Sequence, residues 1–135
     1  MVHKNVKEMK RLTARFYQTA GGNRPVRDWL LELPPEDRKT VGEDIATIEF
    51  GWPVGMPVCR PVGSGLREVR STIRKGKVEA RVIFGVDGGD MILLNGFEKK
   101  PSQQDNEIDA AEGRWRDYKR RKESGNDRNG KKPRR

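Results

Sequence analysis

Apolar and polar positions along the chain predict strands in two regions. Residues 12–19 mix apolar, aromatic and threonine side chains and end at a glycine pair, which predicts a first strand closed by a turn. After a loop rich in proline and glycine at 52–64, three more strand-like runs follow at 66–73, 78–87 and 91–97. Their short connections favour antiparallel pairing. The sequence therefore predicts a small sheet of about four strands.

Apolar residues recur at helical spacing in the rest of the chain. Between the first strand and the loop they form two faces: Val26, Trp29, Leu30 and Leu33, then Val41, Ile45 and Ile48. Asn23 is a candidate cap for the first of these helices. A last helix is expected from Asp105 as a cap and a stripe formed by Ile108, Ala111, Trp115 and Tyr118. We therefore predict an α+β fold, in which an antiparallel-dominated sheet packs against an N-terminal helical hairpin and carries a C-terminal helix.

Composition divides the chain into a folded body and a tail. Residues 123–135 contain no apolar residue except glycine and proline, so nothing in this segment offsets the entropy that ordering would cost. We expect one domain at 1–122 and a basic, disordered tail at 123–135.

Charge and cysteine content limit the partners and the compartment. The chain has 29 lysine and arginine residues against 20 acidic ones, and its net charge of +9 favours a polyanionic partner such as nucleic acid. Cys59 is the only cysteine, which excludes an intrachain disulfide and agrees with a reducing cytoplasm. No apolar run approaches membrane-spanning length, and the first residues lack the apolar core of a secretory signal. We expect a cytoplasmic protein without a membrane partner.

Strand alternation predicts a group of charged side chains on one face of the sheet. The apolar side chains of run 78–87 share one face, which leaves Arg81 on the other, and Glu68 and Arg70 also point away from the apolar face. Arg70 and Arg81 are therefore predicted to lie together on an open surface. A second basic group, near the end of the last helix, includes Lys119, Arg120 and Arg121. This second group is either a solvated helix surface or a set of additional phosphate contacts.

These elements and motifs resemble the RelE superfamily, and in particular its phage-derived HigB-like branch. Residues 65–70 (Gly-Leu-Arg-Glu-Val-Arg) are similar to the Gly-Leu-x-Glu-Leu/Val-Arg signature of that branch. Residues 80–84 resemble its Tyr-Arg-Val/Ile-x-Phe strand, and residues 96–101 resemble its closing strand, which ends in Phe-x-Lys-Lys. The likeness extends from about residue 15 to about residue 118, and the order and spacing of the motifs make it specific.

The resemblance implies the toxin of a type II toxin–antitoxin system that acts as a ribosome-dependent mRNA endonuclease. In such toxins the ribose 2′-hydroxyl attacks the adjacent phosphate and leaves a cyclic phosphate and a free 5′-hydroxyl, without a metal or a cofactor. The implied partners are mRNA on the ribosome, ribosomal RNA, and a helix-turn-helix antitoxin that covers the basic face of the toxin.

The resemblance also implies roles for individual residues. Arginine matches two phosphate oxygens and stays protonated, so Arg70 and Arg81 are the expected charge-neutralising residues. Glu68, Lys99 and Lys100 are candidates for proton transfer. The residues expected to contact RNA are Arg60, Arg67, Phe97, Lys119, Arg120 and Arg121.

The chain departs from the family pattern at the positions that move protons. Its only histidine, His3, lies outside the matched region, which adds Tyr118 to the short list of candidate bases. Arg67 stands where the family often has an aromatic residue, and this charge indicates either an edge position or an added RNA contact. Phe97 is either a base-stacking residue or part of the core.

Two other functions remain open at this stage. A non-catalytic RNA-binding or ribosome-binding module would need only the positive charge, and the missing histidine suits it. A protein-directed toxin of the ParE type would share the fold, but it would not need the cluster of arginine and lysine residues.

Overall fold

In residues 9–131, which the structure describes, the chain forms five strands and three helices. The structure is a computed structural model, and it describes side chains from residue 9 to residue 125. The strands are β1 (Thr13–Phe16), β2 (Cys59–Gly63), β3 (Leu66–Ile73), β4 (Val78–Asp87) and β5 (Asp90–Glu98). The helices are α1 (Pro25–Glu32), α2 (Pro35–Gly51) and α3 (Gln104–Lys131).

All five of these strands belong to one sheet, in the order β1-β5-β4-β3-β2. β1 pairs with β5 in parallel, and the other neighbours are antiparallel. This arrangement confirms the predicted α+β class, with an antiparallel-dominated sheet, a helical hairpin near the N-terminus and a C-terminal helix. In the described part of the chain, no helix is long and apolar enough to cross a membrane.

The fifth strand, β2, lies inside the segment that the sequence predicts to be a loop. It pairs with β3 at the edge of the sheet, and its register shifts between Pro61 and Gly63. Proline has no N–H to donate, so an edge position is where a strand tolerates it. A strand of five residues that contains proline and glycine carries almost no strand signal of its own. It forms because β3 offers an unpaired edge.

The boundaries of the helices differ slightly from the predicted ones. α1 begins at Pro25 with Arg24 at the cap position, so Asn23 is not the cap. Asp105 lies in the first turn of α3 instead of capping it. α3 also continues to Lys131, past the boundary predicted at residue 122, and no proline lies between these two positions. Residues 132–135 of the expected tail lie outside the described residues, and the division at residue 122 stays a prediction.

Two apolar layers lie on the two sides of the sheet. The helical hairpin, α1 and α2, covers one face, where Val26, Val41 and Ile48 pack against strand residues such as Val82 and Phe84. On the other face, α3 packs over β5 and part of β4, and this second layer contains Leu66, Ile83, Ile92, Leu94, Phe97 and Ala111. α3 thus leaves one side of the second face, along β3, without a helical cover.

Glu49 fixes the first strand to the helical hairpin. This residue of α2 is only 8% exposed, and its Oε2 accepts hydrogen bonds from the Ala14 backbone N–H at 2.7 Å and from Lys10 Nζ at 3.2 Å. Its backbone carbonyl also accepts the N–H groups of Arg11 and Leu12. β1 has only four residues, so these contacts supply much of its attachment.

We expect Glu49→Gln to lower the free energy of unfolding by about 2 kcal/mol, because a neutral amide replaces a charged acceptor and leaves the Lys10 ammonium without its partner. Urea unfolding of the variant beside the wild type measures this loss. Glu43→Gln is the matched control, since Glu43 is an exposed carboxylate of the same helix. Equal unfolding midpoints for Glu49→Gln and Glu43→Gln would contradict the assignment.

Candidate functional site

The strand register brings several predicted site residues onto one face of the sheet. Arg70 in β3 pairs directly with Arg81 in β4, and Arg81 pairs with Phe97 in β5. In the neighbouring rows, Glu68 lies opposite Arg60 and Thr72 lies opposite Glu79. All of these positions share the face that α3 covers only in part. The predicted common face of Arg70 and Arg81 is therefore confirmed.

The prediction that Arg81 lies on an open surface is wrong. Arg81 is 1% exposed and Glu68 is 0% exposed, and Nε of Arg81 lies 3.3 Å from Oε2 of Glu68. Arg81 also donates through Nη1 to Oε1 of Glu79 at 2.9 Å. Alternation along a strand assigns a side chain to a face, but it says nothing of how deeply the neighbouring side chains cover it. Arg81 is thus a buried charge held by two carboxylates.

The buried pair has hydrogen-bonding capacity that the described residues do not fill. Both carboxylate oxygens of Glu68 and the Nε and Nη2 atoms of Arg81 are buried without a partner in hydrogen-bond geometry among these residues. The attraction between the two charges is therefore the main compensation for removing each of them from water. Glu68, a predicted proton-transfer residue, lies beneath the surface and does not reach a bound substrate.

Around this buried pair stand cations that are open to solvent. Arg70 is half-buried, and its Nη1 contacts Sδ of Met56 at 4.0 Å, with no carboxylate within 4.0 Å among the described residues. Lys99 and Lys100 are exposed just after β5, also without an ion pair in that part of the chain. Arg60 is half-exposed and lies 3.7 Å from the buried Glu68. We call Arg60, Arg70, Lys99 and Lys100 the cationic rim.

Glu79 is an accessible carboxylate beside two members of the rim, Arg70 and Lys99. Its side chain is 47% exposed, and its Oε1 and Oε2 accept hydrogen bonds from Arg81 and from the Thr72 hydroxyl at 2.9 and 3.0 Å. The hydrogen bond from Arg81 is the main cause that lowers the pKa of Glu79 below its usual value, with Thr72 and the charge of Arg70 adding to it. The backbone N–H of Lys99 donates to the Glu79 carbonyl at 2.7 Å, so Lys99 lies beside it.

Glu79 is not among the site residues predicted from the sequence, although the alternation of side chains along β4 indicates it. Alternation in β4 places Glu79 on the same face as Arg81, two positions away. Together with Arg70 and Thr72, Glu79 lines an open depression that reaches round the edge of β3 towards α2.

Arg67 and Phe97 do not belong to this surface. Arg67 pairs with Phe84 and lies on the helical-hairpin side, where its guanidinium stacks 5.1 Å from the centre of the Trp52 ring. Phe97 is 6% exposed and belongs to the apolar layer beneath α3, so the prediction that it stacks on a base is wrong. Both residues have packing roles.

The cations of α3 lie at the other end of the sheet from the cationic rim. Lys122 bonds Asp87 at the β4–β5 turn, whereas Lys99 follows the opposite end of β5. Arg121 pairs with Asp117 at 2.7 Å and lies 5.6 Å from the Tyr17 ring, and the hydrogen bond that Arg121 donates to Asp117 raises the pKa of Arg121. Arg120 pairs with the same carboxylate, and Lys119 lies 5.4 Å from the Trp115 ring. The contacts of Lys122 and Arg121 attach α3 to the β4–β5 turn and to Tyr17. Lys119, Arg120 and Arg121 are therefore not part of the rim.

Tyr118, the remaining candidate for the base, is bound at the other end of the sheet from the cationic rim. The Tyr118 hydroxyl donates to Asp87, and burial, followed by that hydrogen bond, raises the pKa of Tyr118 to about 12, so it is protonated at neutral pH. His3 lies outside the described residues. Among those residues, no group of three or more histidine, cysteine or acidic side chains is arranged to hold a metal ion.

Comparison with known proteins places the chain in a family. The family model described as phage-derived Gp49-like protein (DUF891) matches residues 28–116, a stretch that includes β2 to β5 and the whole cationic rim. No curated protein matches the chain. Since the match covers well over half of the sequence, the chain belongs to the Gp49-like family of RelE/HigB-like toxin-type proteins.

Proposed function

We propose that this protein is the toxin of a type II toxin–antitoxin system and that it cleaves mRNA in the ribosomal A site. One observation carries the proposal: Arg70 and Lys99 of the cationic rim lie on either side of an oriented, accessible carboxylate, Glu79, on a sheet face that α3 leaves open. Membership of a toxin-type family supports the same function. The HigB-like branch is part of the proposal, on the motif evidence of residues 65–70, 80–84 and 96–101.

In the proposed reaction the rim neutralises the charge that develops on the phosphoryl oxygens. Arg70 suits this role best, because its guanidinium is accessible and no carboxylate within 4.0 Å in the described region competes for it. Arg60 and Lys100 hold the neighbouring phosphates. Lys99 stands near the reacting phosphate and supplies a proton to the leaving oxygen. Arg81 does not touch RNA in this scheme, since it lies beneath the surface and orients Glu79.

The proposal also assigns partners and a compartment. An mRNA nuclease of this kind works on translating ribosomes in the cytoplasm, where ribosomal RNA supplies further phosphates. A helix-turn-helix antitoxin is proposed to cover the cationic rim with acidic side chains, which would block the RNA site. The rim argues against a protein-directed toxin, because a protein target does not require a group of accessible arginine and lysine residues on an open face.

Induced expression in bacteria tests the function. The wild type is expected to arrest growth and to create new 5′-ends inside translated coding regions, whereas Arg70→Ala with Lys99→Ala is expected to reduce cleavage at least ~100-fold, the scale of a lost charge-stabilising contact. Arg27→Ala is the matched control, because Arg27 is a half-exposed arginine on the helical-hairpin side. Thermal melting verifies that the double variant folds.

Other outcomes assign other functions. Growth arrest by the wild type without new 5′-ends would replace the endonuclease by a ribosome-blocking or protein-directed toxin. Expression without growth arrest would favour the non-catalytic RNA-binding module. Loss of cleavage in the Arg27→Ala control as well would show that total positive charge, rather than the cationic rim, determines activity.

A further inference from the structure

The carboxylates of this protein differ sharply in how they could serve the proposed reaction. Glu68 is buried, and Glu98 points to the other face, where it pairs with Arg74 at 2.9 Å. Asp44 lines the same depression as Glu79, but the hydroxyl of Ser71 donates to it across the α2–β3 interface. Among the described residues of this face, Glu79 combines exposure with two oriented oxygens.

The hydrogen bonds to Glu79 leave room for a third partner. Each carboxylate oxygen has two lone pairs, and Arg81 and Thr72 each occupy one of them, on different oxygens. The exposed half of the side chain can therefore accept a hydrogen bond from a hydroxyl group, or its proton, on the solvent side. Because Arg81 is itself buried and held by Glu68, its hydrogen bond fixes the orientation of the Glu79 carboxylate.

We infer that Glu79 is the general base of the cleavage and that Arg81 is its positioning residue. The inference rests on the proposed function and adds the group that moves the first proton. Glu79 takes the proton of the 2′-hydroxyl while the 2′-oxygen forms its bond to phosphorus. The bond from phosphorus to the 5′-oxygen breaks, and the ammonium of Lys99 protonates that oxygen. The products are a 2′,3′-cyclic phosphate and a 5′-hydroxyl, and no oxidant or co-reactant is needed.

The positions of the neighbouring cations fit this division of roles. Arg70 lies in β3, on one side of β4, and its cross-strand partner is Arg81, two residues from Glu79. Lys99 follows β5 on the other side of β4, and adjacent strands are about 5 Å apart. By this register the point midway between Arg70 and Lys99 lies over β4, between Arg81 and Glu79, so a phosphate held there would lie beside the Glu79 carboxylate. The hydrogen bond from Arg81, which lowers the pKa of Glu79, keeps the carboxylate unprotonated at neutral pH.

Single-turnover cleavage of mRNA on purified ribosomes tests the inference with Glu79→Gln. The glutamine retains the shape of the side chain, and its amide can still accept from Arg81 and donate to the Thr72 oxygen. We expect the cleavage rate to fall at least ~100-fold, as for the loss of a general base, while the affinity for the programmed ribosome stays within about threefold. Glu98→Gln is the matched control and is expected to cleave like the wild type.

The dependence of the rate on pH separates a base from a merely structural residue. The wild-type rate is expected to level off above the pKa of Glu79, whereas the rate of Glu79→Gln should continue to rise with pH, because only hydroxide then takes the proton. A Glu79→Gln variant that cleaves at the wild-type rate with the wild-type pH profile would overturn the inference and leave the proposed function intact. A wild type that cleaves no RNA would overturn both.

Discussion

Arg81→Ala is expected to lower the free energy of unfolding by about 3–5 kcal/mol, which would leave a domain of this size largely unfolded at physiological temperature. The reason is the carboxylate that remains: Glu68 is fully buried, Arg81 is its buried partner at 3.3 Å, and only the more distant, half-exposed Arg60 at 3.7 Å would be left beside it. Chemical unfolding monitored by circular dichroism measures the loss. Arg70→Ala is the matched control, because it removes the cross-strand neighbour of Arg81 from an accessible position and should cost less than about 1 kcal/mol.

A double variant separates the structural from the functional role of this pair. Glu68→Leu combined with Arg81→Met removes both charges and fills a similar volume, so stability is expected to return close to the wild-type value. Cleavage should remain impaired, because Glu79 no longer receives its hydrogen bond from Arg81. A double variant that is as unstable as Arg81→Ala would show that the site needs the charges themselves, and normal cleavage by a stable double variant would contradict the positioning role.

The sheet face of each charged residue was predictable from the sequence, whereas its depth was not. Alternation in β3 and β4 placed Arg70 and Arg81 on a common face, and the register confirms it. Burial depends on the residues above a side chain, and the pattern along one strand does not reveal them. Alternation therefore identifies the strands and the face of the site. It predicts, however, that Arg81 is exposed, whereas Arg81 is buried and Glu79 is the exposed side chain.

Non-local contacts explain most of the remaining differences. β2 forms on the edge of β3 and has too little strand propensity to be recognised alone. Alternation puts Arg67 on the face of Val69, and Trp52, fifteen residues earlier in the chain, provides the aromatic surface on which its guanidinium stacks. The cations near the end of α3 look like an RNA-binding cluster in the sequence, but Asp117 neutralises two of them. Each of these pairings depends on how distant segments meet.

Separation of the two basic regions has a consequence for how the protein would bind RNA. The cationic rim lies at one end of β5, and Lys122 at the other, a strand of nine residues away, which corresponds to roughly 25–30 Å. A single reacting phosphate contacts the rim only. Cations on α3 would contribute to the salt dependence of ribosome binding without entering the chemistry.

The position of the rim also depends on close packing of the sheet against its helices, and Gly96→Ala is expected to disturb it severely. A Cβ at Gly96 would lie 2.5 Å from Cε3 of Trp29, an indole ring of α1 that rests directly on the strand. Such a contact forces α1 away or bends β5, and we expect a loss of about 3 kcal/mol, at the upper end of typical overpacking costs. Gly89→Ala is the matched control, because its Cβ would meet nothing within 4 Å.

Thermal and urea unfolding of the two glycine variants measure this effect, and a second substitution identifies its cause. Trp29→Phe in the Gly96→Ala background replaces the indole by a smaller ring, so it should restore part of the lost stability if the clash is the reason. Gly96 lies in β5, three residues before Lys99, which directly follows the strand, and a bent β5 would move Lys99 away from Glu79. Gly96→Ala protein that remains folded at low temperature should therefore also cleave more slowly. Equal stability of Gly96→Ala and Gly89→Ala would show that α1 yields to the added methyl group without cost, and would refute a rigid contact between Trp29 and the sheet.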